Sequence, residues 1–471
     1  MLSGIAGSCA GRARGYGRAS LYSARVRTMI VGHGGRESAL ASRMAEQSEL
    51  YAFAGHLNPS LVRYAQASGG RVQIGDVCDA QAVAAFAAAN AIDVAMVSAD
   101  EPLAAGVVDA LLAQGTRAVG PTRAGAEIEW NKAFARSLLS DVAPEATPRL
   151  RVVRRTGEVD EAIASFGAMP VVVKPSGLTG GKGVKVMGPH LASHADAADY
   201  ARSLLAAGPH DDSVLIEEKI VGAEFTIQAI SDGATVVFPN STYDYPYRFD
   251  GDEGPGTGGM GSLSSAEATL PFMTSEHYEQ ACAIVERVIA RLASEGRRFS
   301  GVMNSGFFAT ASGVQVIEFN ARFGDPECMN IMALFDGDWP RVMERICAGE
   351  LTQEDVRLRS EASLVLYLVS PDYALPAGGA PPTPYEFELD VVAMERAGCQ
   401  VFFSSAVQVA ENTYRTVGTS RAVALVTTAP ALREAHERVV RCAGSVGVLQ
   451  WRRQVGDERY LQDLSALVRA A

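Results

Sequence analysis

Glu318 and Asn320 have the residue types and the spacing that most directly indicate chemistry. They lie in the apolar segment 314–320, which predicts a strand, and residues two positions apart project from the same face of a strand. A carboxylate oxygen beside an amide oxygen suits Mg²⁺, which prefers oxygen ligands and keeps several waters. Arg322 follows directly and is placed to meet a phosphate. A partly exposed strand face ending in a turn fits this segment equally well.

A lysine at the end of a predicted strand precedes a glycine-rich loop in the segment 171–184. The spacing is not that of a Walker A phosphate loop, GxxxxGK[ST]. Lys174 can neutralise an α- or β-phosphate, while the loop closes over a nucleotide and excludes water. An ordinary glycine-rich hairpin is the alternative, but such a hairpin rarely carries two lysines, as Lys174 and Lys182 do here.

The segment 214–224 is an apolar strand that runs into charged residues. One interpretation is a plain strand end. The other is a hinge near Glu217 whose backbone pairs with an adenine edge, with Glu224 accepting hydrogen bonds from ribose hydroxyl groups.

Two further glycine-rich segments are candidates for contacts with anions. Gly34 and Gly35 follow a predicted strand and open a helix, where free N–H groups attract a phosphate. A tight turn without a ligand explains that segment about as well. The segment 248–261 holds six glycines in fourteen residues, which excludes a regular element. A long loop of this kind inside a compact domain is more often functional than idle.

The elements that must position these residues fall into three regions. Residues 26–125 alternate strands and helices, which predicts a parallel sheet covered on both faces. Residues 126–355 contain the nucleotide and metal candidates, with a lid at about 150–222, and begin with one amphipathic helix over 127–141. Residues 356–471 predict antiparallel strands and a helix in a separate α+β lobe. The expected fold class is therefore multidomain α/β and α+β.

Composition excludes several classes of protein. The 471-residue chain carries a net charge of −12, which argues against a nucleic-acid binder because no broad cationic surface is available. The seven cysteines are scattered, without CxxC spacing, so neither a zinc site nor a disulfide framework is indicated. No apolar run approaches the ~20 residues that span a bilayer. We expect a protein of the reducing cytoplasm that binds small molecules, as a monomer or a weak dimer.

Residues 1–25 differ from the rest of the chain, because they are rich in arginine and serine and contain no acidic residue. An organelle transit segment has this composition. A disordered extension ahead of the first strand is the alternative, and the arginine-rich composition of the whole chain favours it.

The order of a nucleotide loop, an adenine hinge and a Glu/Asn metal strand resembles the ATP-grasp fold. The finer resemblance is to the phosphoribosylamine–glycine ligase family. The family motif GGGREHALA resembles residues 32–41, the motif GPT with Lys-x-Phe resembles residues 120–122 with 132–134, and the motif DxDxGPNTGGMG resembles residues 250–261. The motifs KxxGLxxGKGV and EFNxRFGDPE match residues 174–184 and 318–327. The order is preserved from about residue 26 to 336, with a looser match through the last 110 residues.

The resemblance implies a reaction and a set of roles. Glycine, ATP and 5-phosphoribosylamine would give glycinamide ribonucleotide, ADP and phosphate in purine biosynthesis, through a glycyl phosphate. Contacts with ATP would come from Lys132, Lys174, Lys182, Glu217 and Glu224. Glu318 and Asn320 would hold Mg²⁺ or Mn²⁺. Arg322, Lys174 and Asp325 would be the catalytic groups. The two co-substrates would meet Gly34, Gly35, Arg36, Asp244, Gly258 and Gly259.

Four positions depart from the family pattern, all on the side expected to bind the amine. Ser38 replaces a His, Asp100 a Glu, Tyr245-Pro246 a His-Lys pair, and Gly256 an Asn. They leave open a ligase of the same fold that uses another acid or amine. A non-catalytic ATP-binding relative is a further alternative, but the intact pair of Glu318 and Asn320 argues against it.

Overall fold

The computed structural model describes residues 25–177, 183–207, 213–375 and 383–470. Lys182 and all but Arg25 of the amino-terminal segment therefore lie outside the described residues. The first domain is a five-stranded sheet in the order β3-β2-β1-β4-β5, and its parallel arrangement is the one that the sequence predicts. Its strands are β1 Arg27–Val31, β2 Glu49–Ala54, β3 Val72–Ile74, β4 Val94–Val97 and β5 Arg117–Val119.

The central strands of this sheet are continuous apolar runs because helices cover both faces. Met29, Ile30 and Val31 of β1 are fully buried. The helices are α1 Gly35–Gln47, α2 Pro59–Ser68, α3 Ala80–Ala89, α4 Asp100–Ala104 and α5 Val107–Ala113. The glycine-rich turn after β1 therefore leads straight into α1, which confirms the predicted strand–turn–helix order.

The helix predicted over 127–141 is wrong as a single element. The structure has α6 Arg123–Trp130 and α7 Lys132–Val142, separated at Asn131. Asn131 leaves helical geometry (φ −124°, ψ 84°), and its side chain accepts a hydrogen bond from the backbone N–H of Phe134 at 3.0 Å. This N-cap starts a new helix. The amphipathic pattern continues across the break, so the pattern alone does not reveal it. The break places Lys132 at a helix N-terminus.

The next segment has a hydrophobic core of its own. Its four-stranded sheet has the order β6-β9-β7-β8. Its elements are β6 Leu150–Val153, α8 Val159–Ala164, β7 Val171–Pro175, β8 Lys185–Val186, α9 His194–Ala206 and β9 Val214–Glu218. The buried residues of this core all lie between Val153 and Ile216, and they form a cluster separate from the main core. Lys174 and Glu217 lie on the neighbouring strands β7 and β9.

The chain continues through the central region. Its elements are β10 Ala223–Asp232, β11 Val236–Val237, β12 Tyr243–Asp244, β13 Tyr247–Phe249, β14 Glu253–Gly256, β15 Gly261–Ser264, α10 Ser275–Ser294, β16 Ser300–Thr310, β17 Gly313–Asn320, α11 Glu327–Leu334 and α12 Trp339–Ala348. An antiparallel sheet in the order β11-β10-β16-β17 carries Glu318 and Asn320 on its edge strand. The glycine-rich loop forms a hairpin of β13 and β14, so the expectation that it holds no regular element is wrong.

The last region completes a sheet begun earlier in the chain. Its elements are β18 Ala362–Leu368, β19 Glu386–Glu388, α13 Val391–Arg396, β20 Gln400–Phe403, β21 Ala406–Ala410, β22 Thr413–Thr416, β23 Val423–Ala429, α14 Leu432–Ala443 and α15 Glu458–Ala470. The antiparallel sheet β12-β15-β18-β23-β20 joins strands on both sides of the region limit predicted at residue 355. Asp244, on β12, therefore belongs to a sheet shared with the carboxyl-terminal lobe. No helix in the described ranges is long and apolar enough to cross a membrane.

Candidate active site

A cleft of about 430 Å³ opens where the first domain, the central sheet and the carboxyl-terminal lobe meet. Eight residues predicted from the sequence line it: Arg36, Lys132, Asp244, Gly258, Glu318, Asn320, Arg322 and Asp325. They come from distant parts of the chain, so the fold brings together what the motifs only suggested. Lys174 and Glu217 line an adjoining pocket that shares Lys132 and Glu318 with the cleft.

The predicted metal pair lies on one face of β17. Asn320 Nδ2 donates a hydrogen bond to Glu318 Oε1 at 3.4 Å, while Phe319 between them is 3% exposed and packs in the core. The expected alternation along the strand is thus confirmed. Glu318 is exposed in the cleft, so its carboxylate is open to a ligand. One carboxylate and one amide oxygen fit a hard divalent cation that takes its other ligands from phosphate and water.

Arg322 is held between the metal pair and a buried carboxylate. Its guanidinium lies 3.0 Å from Glu129 Oε1 and donates to Asn320 Oδ1 at 3.3 Å. Glu129 Oε2 also accepts a hydrogen bond from the Ala321 N–H at 2.8 Å. Burial raises the pKa of Glu129 to about 7, and the charge of Arg322 acts in the opposite direction. The sequence analysis missed Glu129, because nothing in the α6 pattern distinguishes it from a surface carboxylate.

The sequence analysis expected Lys174 to contact a phosphate. In this structure, Lys174 pairs with Glu217. The Nζ atom of Lys174 lies 2.7 Å from Glu217 Oε2. Arg136 donates to both oxygens of the same carboxylate, at 2.5 and 2.9 Å. Burial alone raises the pKa of Glu217, but the two cations outweigh it and lower that pKa to about 2. Arg136 was missed, since it looks like a polar position of an amphipathic helix.

Glu224, the predicted ribose contact, is a second carboxylate near this pocket. Burial and the charge of Glu318 raise its pKa to about 7. Lys132, the other predicted phosphate contact, donates from Nζ to the carbonyl oxygen of Gly177 at 2.9 Å. The start of α7 therefore touches the glycine-rich loop at the last described residue before the gap.

Asp325 is fixed by groups from three parts of the chain. The hydroxyl group of Tyr367 donates to Asp325 Oδ1 at 2.6 Å, and Arg421 lies 3.3 Å from the same oxygen. Burial raises the pKa of Asp325, but Arg421 and Arg36 offset this effect and the net pKa is lowered. Arg421 also donates to the carbonyl oxygens of Asp325 at 2.9 Å and Gly259 at 3.0 Å. Arg421 therefore ties the glycine-rich loop to the turn at Asp325.

Gly34 and Gly35 serve close packing in this structure. The Gly34 N–H already donates to Glu37 Oε2 at 2.7 Å, and Glu37 pairs with Arg36 at 2.6 Å. A Cβ on Gly35 would collide with the hydroxyl group of Tyr367. The start of α1 is thus pressed against the carboxyl-terminal lobe, and Arg36 is the residue of this turn that lines the cleft.

Gly259 has a backbone conformation that only glycine adopts readily. Its φ is +102°, and a Cβ there would collide with Asp244 Oδ1 and with Pro326. The carboxylate of Asp244 therefore lies directly against this turn. Asp244 Oδ1 is buried and has no hydrogen-bond partner in the described ranges. Burial and the charge of Glu327 raise the pKa of Asp244 well above its usual value.

Two of the four departures from the family pattern lie away from the cleft. Ser38 is buried and donates to the carbonyl oxygen of Phe403 at 2.6 Å. Tyr245 is also buried, and its hydroxyl oxygen accepts a hydrogen bond from the Gly456 N–H at 2.8 Å. Asp100 and Gly256, the other two, line the cleft.

Comparison with known proteins gives consistent matches along the chain. The descriptions "Phosphoribosylglycinamide synthetase, N domain" and "Phosphoribosylglycinamide synthetase, ATP-grasp (A) domain" match residues 26–129 and 130–328. A phosphoribosylamine–glycine ligase from Methanopyrus kandleri is 37% identical over 88% of this chain and 91% of its own length. The relative of the same name from Thermococcus kodakarensis is 36% identical over 94% of this chain and 99% of its own length.

Solved structures show the same fold. The crystal structure of a phosphoribosylamine–glycine ligase from Thermotoga maritima has a TM-score of 0.74 at 23% identity, covering 91% of this chain and 99% of that one. An N5-carboxyaminoimidazole ribonucleotide synthetase in complex with ADP has a TM-score of 0.61 at 15% identity, covering 89% and 96%. The fold, the matched domains and the relatives agree, and the chain belongs to the phosphoribosylamine–glycine ligase family, whose members are ATP-grasp ligases.

Proposed function

We propose that the cleft joins glycine to 5-phosphoribosylamine and converts ATP to ADP and phosphate, giving glycinamide ribonucleotide for purine synthesis. Membership in the family supports the reaction. The observation that carries the proposal is the meeting, in one cleft, of a Glu/Asn pair suited to a divalent cation with Arg322, Arg36 and Lys132. Such a site can hold two anionic ligands side by side, which an ATP-dependent ligation of a carboxylate requires.

ATP is proposed to lie across the adjoining pocket. Lys132 and Lys174 then contact its phosphates, Glu217 and Glu224 mark the hinge and the ribose, and Lys182 closes with the glycine-rich loop. For this, Lys174 must leave Glu217 when the nucleotide binds. Arg136 donates to both oxygens of Glu217 and stays in place, so the buried carboxylate keeps a counter-charge when Lys174 moves.

Glu318 and Asn320 are proposed to hold Mg²⁺ or Mn²⁺. When bound, the cation neutralises phosphate charge and helps to fix the reacting γ-phosphate. Arg322, which touches Asn320 Oδ1, is proposed to face the transferring phosphoryl group. Its partner Glu129 keeps the guanidinium directed along the strand edge. Asp325 acts by holding Arg36 and Arg421, which come from two distant parts of the chain, against the cleft.

The proposed chemistry has two steps. An oxygen of the glycine carboxylate attacks the γ-phosphorus, the bond to the β-phosphate oxygen breaks, and glycyl phosphate and ADP form. The amine nitrogen of phosphoribosylamine then attacks the acyl carbon, the carbon–oxygen bond breaks, phosphate leaves, and the nitrogen loses a proton to solvent. Both steps need positioning and charge neutralisation more than a protein nucleophile. Gly34, Gly35, Arg36, Asp244, Gly258 and Gly259 form the proposed co-substrate side.

The direct test is ADP formation by the purified chain with metal and ATP, with and without glycine and freshly prepared phosphoribosylamine. We expect ADP release only when both co-substrates are present, with glycinamide ribonucleotide as product. Turnover with glycine and another amine would point to a different acceptor, in keeping with Asp100 and Gly256 at the cleft. Binding of ATP without turnover on any such mixture would overturn the proposal.

A further inference from the structure

Three polar side chains meet at the cleft, and two of them present acceptors that the described protein atoms leave unsatisfied. Asp244, Asn304 and Glu327 all line the cleft, on β12, on β16 and at the start of α11. Asp244 Oδ1 and Asn304 Oδ1 are buried without a hydrogen-bond partner in the described ranges. Asn304 is only 4% exposed. Buried polar atoms are almost always paired, so this set indicates a ligand that brings donors.

The orientation of Asn304 is fixed by its neighbour. Its Nδ2 donates to Glu327 Oε1 at 3.4 Å, so the amide oxygen is the atom left without a partner. A Cβ on Gly259 would touch both Asp244 Oδ1 and Pro326, so the Asp244 carboxylate lies against the residue that precedes Glu327. The three groups therefore surround one end of the cleft from three elements.

The electrostatics of the two carboxyl groups favour a single positive charge. Burial raises the pKa of both Asp244 and Glu327, and the charge of Glu327 raises that of Asp244 further. Repulsion between two close buried carboxylates is relieved by a cationic ligand, so the pair favours a positively charged group beside it. Their charged neighbours are Arg421, Arg322, Glu224 and Asp325.

We infer that Asp244, Asn304 and Glu327 form the seat for the ammonium group of the amino-acid substrate. An ammonium group offers three N–H donors and one positive charge, which matches the acceptors here. The inference rests on the proposed function and adds the means by which an amino acid is recognised. It assigns a binding role to Asn304 and Glu327, beside a more defined one for Asp244.

The position of the seat fits the reach of a short amino acid. Asn304 on β16 is the register partner of Asn320 on β17, and Asn320 Nδ2 lies 3.4 Å from the Asn304 carbonyl oxygen. Neighbouring strands are about 4.8 Å apart. A glycine whose nitrogen occupies the seat therefore directs its carboxylate toward the metal pair, where phosphoryl transfer is proposed.

A divalent cation at the same three groups is the competing occupant. It prefers six or more oxygen ligands completed by phosphate and water, and the exposed Glu318 is open to such ligands whereas Asn304 is only 4% exposed. The ammonium group is therefore the occupant that the observations favour.

The test uses the isosteric variants Asp244→Asn and Glu327→Gln in the full chain, with Glu253→Gln, an exposed residue of the neighbouring hairpin, as control. We expect each of the first two to raise the KM for glycine roughly 10- to 100-fold, the effect of losing a charge-assisted hydrogen bond. The KM values for ATP and phosphoribosylamine should change less than about threefold. Glycine binding by calorimetry, with a non-hydrolysable ATP analogue present, covers variants without turnover.

Several results would overturn the inference. An unchanged KM or binding constant for glycine shows that the seat is not used. A raised KM for phosphoribosylamine instead shows that the seat takes that amine, and a raised metal requirement shows a cation site. Retained ATP binding in the variants excludes misfolding as the cause of a lost glycine site. If the wild-type protein makes no glycinamide ribonucleotide, the proposed function is wrong. The glycine-binding measurement still tests the seat for the ammonium group in that case, because it does not depend on turnover.

Discussion

The Nζ atom of Lys174 lies 2.7 Å from Oε2 of Glu217, so a lysine expected at a phosphate is paired with a buried carboxylate. Arg136 shares that carboxylate. The charge of Lys174 is thus balanced beside the proposed nucleotide pocket, and because Arg136 also pairs with Glu217, movement of the lysine would not leave an unpaired buried anion. The pairing of Lys174 with Glu217 is therefore expected to affect both ATP binding and the stability of the fold.

Replacing Lys174 with Met should weaken ATP binding while the fold survives. Arg136 still neutralises Glu217, and the lost contact is one charge-assisted hydrogen bond to phosphate, so we expect the KM for ATP to rise roughly 10- to 100-fold. Steady-state kinetics with ATP varied measures this. Arg202→Met, a partly exposed residue of α9 on the same lid, is the control and should leave the KM for ATP unchanged. Equal effects of both variants would contradict the role of Lys174.

Replacing Glu217 with Gln should destabilise the protein in a pH-dependent manner. The change leaves Arg136 and Lys174 without a buried counter-charge, at a cost on the order of 3 kcal/mol at neutral pH. Because the pKa of Glu217 is lowered to about 2 in the folded chain, its contribution is present above the pKa of the unfolded state. That contribution is lost as the pH falls through about 2.

Urea unfolding at pH 7 and at progressively lower pH checks this prediction, provided the unfolding is reversible. The difference in free energy of unfolding between wild type and Glu217→Gln should be largest near neutral pH and should decrease as the pH falls. Glu158→Gln removes an exposed ion pair with Arg155 and is the control, with little expected change. If this difference in free energy of unfolding increased at low pH, the charge of Glu217 would not stabilise the fold.

Replacing Glu318 with Gln should raise the divalent metal concentration needed for half-maximal ADP formation. The variant keeps the shape of the side chain and removes the charged ligand, so an increase of at least about 10-fold is expected. Gln315→Ala, on the same strand outside the cleft, is the control and should keep the wild-type metal dependence. A metal titration identical to wild type in Glu318→Gln would place the cation elsewhere.

Replacing Gly259 with Ala should distort the turn beside Asp244. The positive φ of +102° and the collision with Asp244 and Pro326 both oppose a Cβ. We expect a loss of about 1–3 kcal/mol in the free energy of unfolding. Gly256→Ala is the matched change in the same loop, because no atom lies within 4 Å of a Cβ there. Similar thermal stability of the two variants would disprove the steric argument.

Local patterns predicted those parts of the site that depend on one strand or one turn. Strand alternation placed Glu318 and Asn320 on one face, and the structure confirms that arrangement. Asn304 is one of several polar residues of β16, whose sequence is SGVMNSGFFAT, so no local pattern distinguishes it. Its role depends on Glu327 and Asp244, which reach it from other elements.

Long-range contacts were beyond the sequence patterns. Arg421 donates a hydrogen bond to the carbonyl oxygen of Asp325, 96 positions away. A single arginine before an apolar strand gives no indication of a partner at that distance in the sequence. The pairing of β15 with β18 is equally non-local, so the shared sheet that carries Asp244 was not foreseen. The helix break at Asn131 was missed because a capping side chain interrupts the helix without interrupting its amphipathic pattern.

The most direct test of the central claim uses glycine labelled with ¹⁸O in its carboxylate. If the carboxylate attacks the γ-phosphate and the amine then displaces phosphate, one labelled oxygen leaves with each phosphate. Mass spectrometry of the phosphate formed with ATP, metal and phosphoribosylamine should therefore find one ¹⁸O atom per molecule, in step with glycinamide ribonucleotide. Phosphate without the label, alongside the same product, would contradict a reaction through glycyl phosphate in this cleft.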